Sequence, residues 1–120
     1  NTGHWTQDGC VTSQFEQHLR AVLDLPLGST DMLAETTVMA NVLGGPDDPD
    51  MPMPQRMAEV WRRFPDAKIH LYGKTWRPGR KIGHVNVSGN SPAASAALRR
   101  RAQLAAHFLV HAVWADGYVS

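Results

Sequence analysis

A chain of 120 residues is long enough for one small domain with a real core and marginal for two. With 42% hydrophobic and 19% charged residues it reads as globular rather than disordered. A formal net charge of +1 excludes a bulk nucleic-acid binder, so the basic character is local, in residues 74–81 and in Arg99–Arg101.

The single cysteine, Cys10, excludes an internal disulfide and points to a reducing, cytoplasmic compartment. It reads as a small, partly buried side chain rather than a nucleophile. No apolar run approaches the roughly 18 residues of a membrane span, and no signal-peptide pattern is visible. The sequence opens on Asn1 without a methionine, which suggests a piece of a longer protein.

Residues 1–11 are polar and glycine-punctuated, the pattern of a loop or short strand. Ser13-Gln-Phe-Glu16 then fits a capping box, a hydroxyl followed three residues on by a carboxylate. Phe15, Leu19, Val22 and Leu23 continue it as an amphipathic helix, stopped by Leu25-Pro-Leu-Gly28. Residues 28–36 read as a linker and Thr37–Leu43 as a short buried strand. The Gly44–Asp50 stretch, with Pro52 and Pro54 behind it, predicts a surface loop. Met57, Val60, Trp61 and Phe64 predict a short helix over 55–63 that ends near Pro65, with Trp61 and Phe64 in the core. Ala67–Gly73 and Lys81–Ser88 both alternate, each with one wet face: Lys68, His70 and Tyr72 on the first, His84 and Asn86 on the second. The segment between them becomes a hairpin connection. Ser91-Pro92 supplies a cap and a first-turn proline. A long helix follows, burying Leu98, Ala102, Ala105, Leu109 and Ala112, and Trp114–Ser120 is a tail that adds a strand or frays. The order helix, strand, helix, strand, strand, helix defines an α+β fold with an antiparallel hairpin.

The chemistry concentrates in "KTWRPGRKIGH", residues 74–84. Lys74, Arg77, Arg80 and Lys81 crowd around a Pro-Gly bend. Lysine and arginine carry donors that match phosphate oxygens, arginine bidentately, and Gly79 and Gly83 let backbone amides approach an anion. The pattern fits a phosphate site and, equally, a well-solvated turn. Asn1, His4 and Trp5 form a second polar cluster. Six histidines and one cysteine show no paired metal-ligand spacing. His107 and His111, four apart, read as a half-buried helix face. Asp47, Asp48 and Asp50 lack the terminal Glu of a calcium loop and read as solvated. Arg99, Arg100 and Arg101 read as the wet side of their helix. No nucleotide-binding glycine loop, nucleophile triad or carboxylate pair is present.

Three blocks carry a family resemblance. "NTGHWTQDGCVTSQFEQHLRAVLDLPLG" resembles the segment that closes the ATP-grasp module in the 5-(carboxyamino)imidazole ribonucleotide synthetase family. "VMANVLG" resembles its next strand, and "HLYGKTWRPGRKIGHVNV" is similar to its C-terminal hairpin signature. The blocks stand in the right order over roughly residues 1–88. Thr2 replaces the usual serine, Trp76 stands where smaller or acidic residues are common, and the last thirty or so residues match loosely.

The resemblance implies a two-part organisation, with residues 1–28 ending an ATP-grasp domain and 29–120 forming a small C-terminal domain. It implies an ATP-dependent ligase of purine biosynthesis that carboxylates 5-aminoimidazole ribonucleotide with bicarbonate through carboxyphosphate. The product passes to a separate mutase. Lys74, Arg77, Arg80 and Lys81 are implied to hold the substrate 5′-phosphate, with Asn1 and His4 near the reacting end. The family's ATP-holding lysines and magnesium carboxylates lie upstream of Asn1. The expectation is therefore that ATP and magnesium belong to the complete enzyme, that this piece alone binds neither and is inactive, and that the enzyme is a homodimer acting on neither nucleic acid nor membrane. Three rivals stand beside it: the C-terminal domain of another ATP-grasp ligase, an anion- or RNA-binding module with Trp76 stacked on a base, and a non-catalytic dimerisation module.

Overall fold

A computed structural model describes residues 3–90 and 95–119. Along the chain run α1 (Thr6–Gly9), α2 (Gln14–Val22), β1 (Thr36–Leu43), α3 (Met53–Arg63), β2 (Lys68–Leu71), β3 (Lys81–Gly89) and α4 (Ser95–His111). The class is α+β, and the strands form one antiparallel sheet in the order β1-β3-β2. The opening segment holds the short helix α1 where the sequence pattern suggests a loop or strand. Cys10 then pairs with Met32 in an isolated bridge. Ser91 and Pro92, the expected start of the last helix, lie outside the described residues.

Sheet order explains where the core sits. β3 is the middle strand, so both of its edges are hydrogen-bonded; α4 covers one of its faces and the N-terminal segment the other, and Ile82 through Val87 are all buried. On one face Val85 and Val87 pack with Val42, Val60 and the α4 side chains Leu98, Ala102, Ala105 and Leu109. Alanines at close-approach positions let α4 lie near the sheet, as their spacing predicts. Val42 faces Gly83 while Leu43 faces Lys81, so Ile82 is an extra residue, a bulge. The bulge turns Ile82 into the core, which strict alternation does not allow.

Several expectations are corrected. β1 is an edge strand and only half-buried, with Val42 alone fully covered. The polar face of β3 is not wet: His84 and Asn86 are each 0% exposed, covered by the N-terminal segment, while on β2 Lys68 stays exposed and His70 and Tyr72 are half-buried. Trp61 is 40% exposed rather than core, its indole N–H donating to Ala67 O at 2.7 Å. Ala112 is half-buried and ends α4 in the left-handed region at φ 57°. The tail is neither strand nor frayed through Tyr118. Trp114 stacks at 4.5 Å on Phe108, and the Asp116 carboxylate accepts two bonds from Arg63, at 2.5 and 3.1 Å.

The cap of α2 follows the sequence. Ser13 Oγ accepts from Glu16 N at 3.1 Å and starts α2. That helix nonetheless buries no residue, and its apolar side chains stand exposed, Leu19 at 57% and Val22 at 66%. Arg56 on α3 is buried. Its guanidinium donates to Met51 O, Leu109 O, Pro49 O and Asp48, tying the acidic loop to α3 and to the end of α4.

The 72–80 connection is fixed by backbone. Arg80 N donates to Arg77 O at 3.1 Å across Pro78-Gly79, with Gly79 at φ 75°, the pattern of a type II turn. Gly79 N donates to Gly44 O at 2.6 Å and Gly44 N to Arg80 O at 2.8 Å. This two-bond clasp needs glycine at 44, because a Cβ there would lie 2.1 Å from Arg77 O. Gly44→Ala is expected to lower stability by about 2–3 kcal/mol, the range of an overpacked site that must shift backbone. Urea-unfolding midpoints of the two proteins check this.

Candidate functional site

The hairpin connection presents its cations without neutralising partners. Among the described residues, neither Lys74, Arg77, Arg80 nor Lys81 forms an ion pair with a carboxylate, whereas Arg20, Arg56, Arg62, Arg63, Arg100 and Arg101 all do. Lys74 and Arg77 are exposed; Arg80 and Lys81 are half-exposed. Arg80 Nη1 reaches Thr75 O at 3.2 Å, which closes the bend on itself. Lys74 Nζ and Lys81 Nζ lie 5.9 and 6.0 Å from the centre of the Tyr72 ring, so one aromatic side chain stands beside both ammonium groups. The turn and the clasp thus bring the sequence-predicted cations onto one edge. Repulsion among unpaired cations in so small a space makes the edge a natural receiver for an anion.

Trp76 does not stand free on this edge. It is half-buried, its indole N–H donates to Gly45 O at 3.2 Å, and the Arg56 guanidinium lies 5.4 Å from its ring centre. The side chain closes a cleft of about 440 Å³ with Met51, Met53 and Ile82 instead of offering a face to a base.

Next to the cations lies a polar cluster whose members the sequence pattern scatters over two wet faces. Register sets His70 opposite His84, and their rings stack at 4.7 Å and 19°. Tyr72 Oη is 2.6 Å from His84 Nδ1 and 3.4 Å from His4 Nδ1. From α1, the Asp8 carboxylate accepts from Asn86 Nδ2 at 2.9 Å and meets His70 Nε2 at 2.6 Å. His84 Nε2 and Asn86 Oδ1 are buried and take no protein hydrogen bond among the described residues. His4, Phe15, His70 and Tyr72 line an open hollow of about 540 Å³. The sequence signal was there, in polar residues at matching alternate positions of two paired strands. The cover over them is non-local, because residues 4–8 fold across the strands from far away in the chain. Asn1 lies outside the described residues; His4 sits in the cluster, 5.2 Å from His84 ring to ring.

Burial sets the protonation states. His84 is lowered to about 4, first by burial and then by the neighbouring charges of His70, His4 and Lys81. His4 is also lowered, by burial first and then by Lys81 and His70. Burial raises the Tyr72 phenol. At neutral pH the cluster holds a neutral imidazole at His84 beside a protonated phenol. His107 and His111 pair at 4.4 Å on the far helix, away from any third ligand. Among the described residues no group of three or more His, Cys, Asp or Glu side chains is arranged to hold a metal ion. No described helix is long and apolar enough to cross a membrane.

Residues 37–98 match the model of the phosphoribosylaminoimidazole carboxylase C-terminal domain family. The N5-carboxyaminoimidazole ribonucleotide synthase of Mycobacterium tuberculosis (strain ATCC 25618 / H37Rv) is 56% identical over 118 residues, 98% of this chain and 27% of its own length. The synthase of Corynebacterium ammoniagenes is 55% identical over 121 residues, 98% of this chain and 28% of its own. The chain thus spans little more than a quarter of these relatives. Among solved structures, the phosphoribosylaminoimidazole carboxylase ATPase subunit of Aquifex aeolicus superposes with a TM-score of 0.69 at 42% identity, over 85% of this chain and 29% of that one. The N5-carboxyaminoimidazole synthase of Aspergillus clavatus, in complex with ADP and 5-aminoimidazole ribonucleotide, gives 0.69 at 37% identity, over 91% and 28%.

The neutral His84 makes stability depend on pH. The unfolded chain takes up a proton near pH 6.5 and the fold refuses it until about 4. The unfolded state therefore binds more protons in that window, and stability falls as pH is lowered through it. His84→Gln is expected to flatten the fall between about pH 6.5 and about pH 4.5. Urea midpoints measured across that range, for both proteins, check the assignment.

Proposed function

The chain belongs to the phosphoribosylaminoimidazole carboxylase C-terminal domain family, and on that premise we propose that it supplies the substrate-phosphate site of an ATP-dependent carbon–nitrogen ligase. The reaction is carboxylation of the exocyclic amine of 5-aminoimidazole ribonucleotide with bicarbonate. It proceeds through carboxyphosphate, converts ATP to ADP and phosphate, and yields 5-carboxyamino-1-(5-phospho-D-ribosyl)imidazole for a separate mutase of purine biosynthesis. The names of the relatives and the ADP and ribonucleotide bound to the Aspergillus clavatus enzyme support the substrate class.

One observation carries the assignment of the site. Lys74, Arg77, Arg80 and Lys81 gather on one clasped bend, and none is neutralised by a carboxylate among the described residues. In this reading Lys74, Arg80 and Lys81 contact the 5′-phosphate of the ribonucleotide and Arg77 supports them. Charge-assisted bonds to phosphate hold the substrate at one end, so that its amine is presented near His4 and Asn1. Residues 1–28 would close the ATP-grasp domain and 29–120 form the C-terminal domain; the family match, starting at residue 37, falls within the second.

Magnesium and ATP are assigned to the rest of the complete enzyme. A homodimer in the cytoplasm completes the reading. The rival in which Trp76 stacks on an RNA base is disfavoured by the engagement of that indole with Gly45 and Arg56.

Lys74→Ala or Arg80→Ala, in the complete enzyme carrying this segment, is expected to raise the ribonucleotide KM roughly tenfold to a hundredfold. That is the effect of losing one charged hydrogen bond of about 1.5–3 kcal/mol. The ATP KM stays within about twofold, a shift of about 0.4 kcal/mol that lies within the scatter of additivity between distant sites. Steady-state kinetics with each substrate varied in turn makes the comparison; equal effects on both would count against the site.

A further inference from the structure

We propose that Tyr72 is a positioning residue of the anion site: its ring holds Lys74 and Lys81 in place, and His84 locks the ring. The proposal rests on the phosphate-site reading above and adds a residue that this reading does not use.

Lysine is the poorer of the two phosphate-binding side chains to preorganise, a flexible stem ending in a point charge without arginine's planar fork. Something must hold two such stems if they are to meet one phosphate without a large ordering cost. Tyr72 is placed to do so. Its ring centre lies 5.9 Å from Lys74 Nζ and 6.0 Å from Lys81 Nζ, at the outer reach of a cation–π contact. The two lysines come from opposite ends of the connection, one just after β2 and one at the start of β3. Tyr72 is therefore the side chain that both ends share.

The ring itself is held from beneath. Tyr72 N donates to Ile82 O at 3.0 Å, which extends the β2–β3 ladder by one bond. The phenol oxygen is 2.6 Å from Nδ1 of His84, a side chain wholly buried in the central strand. His84 is in turn stacked on His70, which meets Asp8 at 2.6 Å. A ring tied to that cluster cannot swing away, so the two ammonium groups have a fixed support. The bulge at Ile82 contributes too, because it sends the isoleucine to the core while Lys81 Nζ stays beside the phenol.

The test uses the complete enzyme that carries this segment. Tyr72→Leu removes ring and hydroxyl. It is expected to raise the ribonucleotide KM about fivefold to thirtyfold, the loss of two exposed cation–π contacts. The ATP KM and kcat should stay within about twofold, inside the scatter of additivity between distant sites. Tyr72→Phe keeps the ring, guards against a misfolded leucine variant, and should fall between wild type and Tyr72→Leu. In a Lys74→Ala/Lys81→Ala background, Tyr72→Leu should add nothing further. The proposal is overturned if Tyr72→Leu leaves the ribonucleotide KM unchanged while the lysine variants raise it. It is equally overturned if the ATP KM rises in parallel, if Phe and Leu are equivalent, or if Tyr72→Leu still raises the KM when both lysines are absent. If the lysine variants themselves have no effect, the phosphate-site reading fails first, and the inference falls with it.

Discussion

Burial of β3 on both faces is the constraint on which the rest of this structure depends. A strand with α4 on one face and the N-terminal segment on the other has no wet side along Ile82–Val87, so those residues must find partners in the layer above or below. On one side that partner is the alanine-rich face of α4, and the contact is ordinary apolar packing. On the other side the strand presents His84 and Asn86, which cannot be left bare under a covering layer without cost. The N-terminal segment answers with Asp8 and the carbonyl of His4, β2 answers with His70, and Tyr72 follows just after its end. Two buried polar residues thus recruit a helix turn, a neighbouring strand and a phenol into one cluster.

That cluster and the cationic edge are two levels of one arrangement. The cluster is buried, hydrogen-bonded and, at His84, electrically neutral at physiological pH. The edge above it is exposed and positively charged. Tyr72 belongs to both, through its hydroxyl below and its ring above. Neutrality below matters: a protonated imidazole beneath the lysines would add to a repulsion that the bend already carries. The desolvation that keeps His84 neutral spares the anion edge one more like charge.

The sequence made local structure readable and left non-local cover unreadable. Ser13 and Glu16 announced α2, Pro78-Gly79 announced the turn, and the alternating runs on either side announced the hairpin, because each depends on residues a few positions apart. The cation cluster was legible for the same reason. Strand order was not, since nothing within 81–89 says that Thr36–Leu43 will pair on its other side. Alternation alone puts His70, His84 and Asn86 on wet faces, and nothing in residues 1–11, whose pattern is that of a loop or short strand, links Asp8 to residues some sixty to eighty positions away. Periodicity also misplaced Trp61, and for α2 it found the helix and its apolar side but not whether that side is covered. It reports which side of an element is apolar, whereas burial requires a second surface to meet that side, and among the described residues α2 meets none that covers it. The bulge at Ile82 shows the limit again, since one inserted residue reverses the parity on which face assignment rests.

The Gly44 clasp bears on how this edge can change over evolutionary time. Where a loop is held by its own side chains, altering their chemistry alters its course. Here the course is set chiefly by main-chain atoms, Gly44 to Gly79 and Arg80, and by the Pro78-Gly79 turn, with Arg80 Nη1 on Thr75 O and the Trp76 indole on Gly45 O as the side-chain ties. Among the described residues, the charged side chains at 74, 77 and 81 form no ion pair, and none of them makes either side-chain tie. Selection can therefore retune the charge, reach and ligand preference of this edge by substitution at those three positions while the path of the chain stays put. It has no such latitude at Gly44, where even a methyl group would meet the backbone it is meant to hold.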